Sequence, residues 1–99
     1  MITHTVLFRL RPELPEVERS EAMQRFRDGI LGLDRNALRC LSVHVGFNAN
    51  PSESWDICLT ATFADMADLA HYAAHPDHVC VAAALKPLLA GRACVDSVS

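Results

Sequence analysis

A ferredoxin-like α+β fold, with one sheet face left for a second copy to cover, is the architecture this sequence predicts. Three observations predict it. Apolar residues alternate with period two over 2–10, 41–47 and 55–63, the signature of strands, and 92–98 reads as a last strand. Between and after them, apolar residues recur near helical spacing. The order that results is strand, helix, strand, strand, helices, strand, which is the βαββαβ plan with its helices on one face of an antiparallel sheet.

The first strand carries Ile2, Val6, Phe8 and Leu10 on one face together with His4. Thr3, Thr5, Leu7 and Arg9 occupy the other, and that face is partly apolar, as in a strand covered on both sides. Prolines at 12 and 15 break the chain, and Pro15 suits the first position of a helix whose start is favoured by Glu16 and Glu18. Val17, Met23, Phe26, Ile30 and Leu33 mark its inner stripe, and Gly32 with residues 34–36 ends it. Leu41, Val43, Val45 and Phe47 then face one way, and Ser42, His44 and Gly46 the other. After a loop over 48–54, Trp55, Ile57, Leu59, Ala61 and Phe63 alternate with Asp56, Cys58, Thr60 and Thr62, which closes an antiparallel hairpin.

Asp65 can cap the next helix, with Asp68 three residues on near its positive end. Leu69, Tyr72 and Ala73 form its inner stripe. Pro76 cannot continue the hydrogen-bond ladder, so this helix stops near Ala74 or His75 and a new one starts at Pro76. Val79, Ala82, Ala83 and Leu85 read as the inner side of that helix, and Cys80 among them reads as core. Pro87 ends or kinks it, and Gly91 is a further stop before the last strand.

Ninety-nine residues make one domain, 1–99, without linker, repeat or low-complexity tract. The hydrophobic fraction, 51%, is at the upper end for a soluble domain, so apolar surface should remain after the monomer folds. The helices cover one sheet face only. The other carries Ser42, Cys58, Thr60 and Thr62 beside Leu7, with Val98 at its end. This mixture suits a homodimer through sheet faces with some trapped water.

Net charge is −3, and the short basic stretch over 25–27 is surrounded by acidic residues. No basic footprint for nucleic acid results, and no basic amphipathic helix or membrane span. Residues 1–10 lack the charged start and long apolar run of a secretion signal, so the expectation is a cytoplasmic protein with four reduced cysteines. No phosphate loop, nucleophile elbow or dinucleotide fingerprint is present, and no cofactor is expected.

Reactive side chains concentrate in one stretch, His71-Tyr72-Ala73-Ala74-His75-Pro76-Asp77-His78. The proline break leaves unpaired backbone groups beside the sheet, a setting in which ligand sites form. His78 is the general-base candidate, because an imidazole titrates near neutral pH. The Tyr72 hydroxyl could bond a substrate carbonyl and stabilise an enolate-like oxyanion. His4 could reach the same cavity if its face looks toward the helices. Each has a structural reading beside it: Tyr72 as a core aromatic, His4 as a satisfied core histidine, His75 as a helix cap. His71 and His75 have the i,i+4 spacing of a one-face zinc pair, but no carboxylate partner is placed for them and no metal is expected. Asp56 and Asp96 sit in strands, where hydrogen bonding at an edge or interface is their default role.

Several of these segments resemble the stress-responsive A/B-barrel family, known as Dabb. They are Ile2-Thr3-His4-Thr5-Val6-Leu7-Phe8, Val45-Gly46-Phe47-Asn48, Trp55-Asp56-Ile57-Cys58-Leu59, Tyr72-Ala73-Ala74-His75-Pro76-Asp77-His78-Val79 and Cys94-Val95-Asp96. The resemblance spans nearly the whole chain. It implies a dimeric α+β barrel with two facing sheets, and it implies function weakly, since most members have no assigned activity. Some plant members are stress-induced proteins. One member is a polyketide cyclase that closes a ring by an aldol-type step. By position, its tyrosine and histidine at the site fall on Tyr72 and His78, and a first-strand histidine falls on His4. Ile57 stands where that cyclase has a third-strand histidine, so a related pocket is implied without the cyclisation itself.

Two function classes follow. One is an enzyme or binding domain for a small carbonyl-containing or polyketide-like ligand, held between sheet and helices, with proton abstraction next to the carbonyl as the reaction class. The other is a non-catalytic structural protein of the stress response, in which the histidines cap helices and fill the core.

Overall fold

A computed structural model describes residues 1–99. Its elements are β1 (Ile2–Leu10), α1 (Glu16–Leu31), β2 (Ser42–Phe47), β3 (Ile57–Phe63), α2 (Met66–Ala74), α3 (Pro76–Leu85), a single 3-10 turn (Lys86–Leu88) and β4 (Leu89–Val98). The sheet runs in the order β2-β3-β1-β4, with every neighbouring pair antiparallel. This is the ferredoxin-like arrangement that the element order predicts.

The even-numbered residues of β1 do face the helices. Ile2, Val6 and Leu10 are buried with Ile57, Leu59, Ala61 and Phe63 of β3, against Phe26 and Ile30 of α1, Leu69 and Tyr72 of α2, and Leu85 of α3. The opposite sheet face has no layer over it. Register places Thr3, Thr5, Leu7 and Arg9 there, opposite Ser97, Val95, Ala93 and Gly91 of β4. Val98 pairs with Ile2 and so belongs to the helix side; Val95 and Ala93 are the apolar residues that β4 presents on the open face.

Several elements differ from expectation, each for a local reason. Pro15 caps α1 in extended conformation and lies just outside it. Val17 is exposed, because it stands nine residues before Phe26, roughly half a turn out of phase at about 100° per residue. On α3 the inner side is His78, Val81, Ala82 and Leu85, which recur at three- and four-residue spacing. Val79 and Ala83 lie one position off that stripe and are exposed, and Cys80 is exposed as well, so it is not core. β4 starts at Leu89, and Gly91 lies within it and is no stop. A side chain there would meet Arg9, whose side chain comes within 3.8 Å of where a Cβ would stand. Arg9 lies across the open face with its guanidinium 4.4 Å from the Trp55 ring centroid.

Candidate functional site

The break between α2 and α3 builds the site. Asp65 caps α2 through the Asp68 amide at 2.8 Å. Pro76 offers no amide to continue the ladder, and residue 75 turns to extended backbone (φ −65°, ψ 133°). His75 then caps α3, its Nδ1 accepting from the Asp77 amide at 3.2 Å. In an unbroken helix that amide would bond the Ala73 carbonyl. The freed carbonyl is taken instead by His78 Nδ1 at 3.3 Å. A carbonyl only accepts, so Nδ1 carries the proton and Nε2 keeps its lone pair.

His78, Tyr72 and His4 meet at one small cavity of about 150 Å³ between β1 and the two helices. The Tyr72 and His78 rings lie 4.3 Å apart, and the His4 ring is 6.4 Å from that of Tyr72. Val6, Phe8, Leu59 and Leu85 supply the apolar wall. Tyr72 is 3% exposed, and its hydroxyl has no hydrogen-bond partner in the protein. Such a group is uncommon, because burying an unpaired hydroxyl is costly. Burial, with a smaller contribution from Cys40, pushes the Tyr72 pKa up to about 12, so it is a hydrogen-bond donor throughout the neutral range. Burial likewise lowers the His78 pKa, opposed by its bond to the Ala73 carbonyl and assisted by His4 and Arg92 nearby. At neutral pH His78 is therefore an uncharged imidazole with a free Nε2, a form able to accept a proton.

Two residues at this site, Asp96 and Arg92, were not placed at it by the sequence. Asp96 lies opposite His4 in the β1–β4 register, and its Oδ1 accepts from His4 Nδ1 at 2.5 Å. Hydrogen bonding at an edge or interface was expected for Asp96, and on the edge strand β4 its partner is the His4 side chain of β1. This bond holds the imidazole in one orientation with Nε2 as the free nitrogen. Arg92, two positions along the same face from Cys94, lines the cavity at its mouth. Neither carries a local motif, and the signal for Asp96 was its counting position once β4 is paired with β1.

His4, Asp96 and Cys94 offer nitrogen, oxygen and sulfur atoms within 4.8 Å of one another. The Cys94 sulfur stands 3.6 Å from His4 Nδ1 and 3.7 Å from Asp96 Oδ1, spacings a tetrahedral ion would accept. The His4–Asp96 separation of 2.5 Å is too short for two ligands of one zinc ion by about 1 Å. Burial and the Asp96 carboxylate raise the Cys94 pKa, which keeps the thiol protonated. The three form a hydrogen-bonded group. The His71–His75 pair is also committed to the backbone: His71 Nε2 donates to the Ala37 carbonyl at 3.0 Å, and His75 serves as cap. Asp56 is structural, accepting from the Leu10 amide at 2.8 Å and pairing with Arg19 at 3.3 Å.

The model of the stress responsive A/B barrel domain, Dabb, matches residues 2–99. The chain belongs to this family. No curated protein matches the sequence. Among solved structures, this Dabb domain is similar to a dimeric protein of unknown function with a ferredoxin-like fold from Bacteroides fragilis. The two are 36% identical over 99% of this chain and 95% of that one, with a TM-score of 0.94. A Dabb family protein from Mesorhizobium loti shares 23% identity over 99% and 95% of the two chains, with a TM-score of 0.74. A hydroxynitrile lyase from Passiflora edulis shares 14% identity over 99% and 92%, with a TM-score of 0.73. The last two likenesses are of fold alone. No helix is long and apolar enough to cross a membrane.

Proposed function

We propose that this Dabb domain binds a small carbonyl compound in the cavity between β1 and the α2–α3 break and removes a proton from the carbon beside the carbonyl. The observation that carries the reading is the buried, unpartnered Tyr72 hydroxyl beside a neutral His78. In this reading the ligand carbonyl accepts the Tyr72 hydrogen. His78 Nε2 takes the proton from the adjacent carbon, the electron pair moves onto the carbonyl oxygen, and Tyr72 stabilises the resulting enolate. His4, held by Asp96, is an auxiliary polar group on the same cavity. A volume of about 150 Å³ is of the size that admits a benzene-like ligand, so a long polyketide does not fit as a whole. The same frame serves a hydroxynitrile lyase in Passiflora edulis, which supports chemistry on this fold without naming a substrate here.

The test is solvent-deuterium exchange into small ketones followed by NMR, with wild type, Tyr72→Phe and His78→Asn compared. Protein-dependent exchange that both substitutions abolish is expected. Exchange no faster than buffer with every ketone tried would leave the non-catalytic reading, whose support is that His75 and His78 both hold backbone groups at the helix break.

We further infer a cytoplasmic homodimer joined through the open sheet faces. Leu7, Ala93 and Val95 lie on that face, and Val95 is 65% exposed in the single chain. Arg9 Nε is buried there with no acceptor from its own chain, which a second copy could supply. The Bacteroides fragilis protein, alike in fold and sequence, is dimeric.

A further inference from the structure

The charged side chains that line the outer part of the cavity, Arg92 and Lys86, are both basic. An outer groove of about 490 Å³ runs along the seam of α3 and β4 and shares Phe8, Ala82, Leu89 and Arg92 with the inner cavity. Its lining includes Lys86 and Arg92 and no carboxylate. The inner cavity adds no carboxylate either. The four ion pairs of the protein join His4 to Asp96, Arg19 to Asp56, Arg39 to Asp68 and His75 to Asp77. Arg92 and Lys86 belong to none. Asp96, the nearest acid on the same face of β4, has its carboxylate engaged by His4.

From this arrangement we propose that the ligand is an anion: a small ketone or aldehyde carrying a carboxylate, its carbonyl end inside by Tyr72 and its carboxylate at the mouth on Arg92. The inference rests on the carbonyl reading of the inner cavity and adds the charge of the ligand to it. A guanidinium at the rim of an apolar cavity gives a planar fork for a carboxylate, and charge-assisted bonds of that kind are the strong ones. Lys86 stands farther out on the groove and contributes attraction at longer range, which salt screens. The Tyr72 hydroxyl offers the inner cavity a single donor, which a carbonyl oxygen satisfies, while the two oxygens of a carboxylate match the Arg92 fork at the mouth.

Three probes of one shape separate the parts of this proposal: para-acetylbenzoate, its methyl ester, and acetophenone. Binding to the full chain is followed by titration in NMR or calorimetry. Wild type is expected to bind the acid about tenfold more tightly than the ester, the worth of one charge-assisted hydrogen bond. R92Q is expected to erase that preference, read as the ratio of acid to ester affinity within the variant itself; its site is exposed, so folding is not at stake. K86Q should reduce the preference by less than about threefold. Tyr72→Phe should weaken all three probes alike. Equal binding of acid and ester by wild type, with acetophenone bound, overturns the anion inference and leaves the carbonyl reading standing. Retention of the acid preference in R92Q overturns the assignment to Arg92. Failure of all three probes to bind wild type overturns both.

Discussion

Replacing Tyr72 by Phe should make the protein more stable, the opposite of what trimming a core tyrosine ordinarily does. The side chain is almost fully buried, and its hydroxyl bonds to no protein group. Folding moves that hydroxyl from bulk water to an apolar-walled cavity, at a cost of about 1–3 kcal/mol when it stays unpaired. The cavity, about 150 Å³, is large enough to admit water, so the lower end of that range applies, about 1 kcal/mol. The ring contacts with Phe63 and His78 survive the substitution, because phenylalanine fills the same volume. For a domain of this length about 1 kcal/mol corresponds to a rise of about 4–8 °C in Tm. Thermal melts followed by circular dichroism, at equal protein concentration so that dimerisation is held constant, measure it. A fall of several degrees would show that the hydroxyl bonds to the protein after all, and the case for a ligand-facing tyrosine would collapse with it. A rise in Tm together with lost ligand binding is the pattern of a group kept for function at the expense of stability.

The remaining predictions concern titration and assembly. Tyr72 is the only tyrosine, so tyrosinate absorbance reports it alone. Its folded pKa of about 12 lies above the ordinary 10, so the unfolded chain loses the proton first, and stability present below pH 10 is lost as pH rises toward 12. Absorbance and unfolding should therefore rise together in alkali; ionisation near pH 10 with the fold intact would contradict the burial. His78 runs in the other direction: its folded pKa lies below 6.5, so the unfolded chain takes up the proton first as pH falls. The stability it contributes is complete above that value and declines below it until folded His78 is also protonated. Urea melts at about pH 5 and about pH 8 should show a smaller difference for His78→Asn than for wild type, and an unchanged difference would mean that His78 is not the group responsible. Val95→Lys, on the open sheet face, should leave the fold within about 0.5 kcal/mol of wild type in a monomer. Light scattering should nonetheless report a lone protomer, and an undisturbed dimer would place the interface elsewhere.

Much of the frame was legible because strands and caps are local. The period-two alternation of β1 put His4 on the same face as Val6 and Leu10, and burial of that face against the helices put it at the cavity. Asp65 as cap and Pro76 as helix start rest on backbone rules that act within a few residues. The phase of α3 was not legible in the same way. Residues 79–85 are all apolar, so they show no contrast from which to read a face, and the one polar residue that marks the inner side, His78, is half-buried there against expectation for its type. Asp96 and Arg92 were hidden for a different reason. Their importance comes from the register between the two strands at opposite ends of the chain, and nothing within β4 encodes which of its residues stands across from His4.

The location of the site follows from what a proline does to a helix placed over a sheet. Had α2 and α3 been one continuous helix, the carbonyls of Tyr72 and Ala73 would be bonded to the amides of residues 76 and 77, and no acceptor would remain for His78. Proline removes the first of those amides, and the Tyr72 carbonyl takes the amide of His75 at 3.2 Å instead. The His75 side chain takes the second amide, so the Ala73 carbonyl is left for His78. One interruption thus accounts for the end of α2, the start of α3 and the tautomer of the imidazole that faces Tyr72. It also explains why these residues fall so close together in sequence. The chemistry of the site depends on a bond rearrangement that spans one helical turn, so a histidine farther along α3 would find no free carbonyl to set its tautomer.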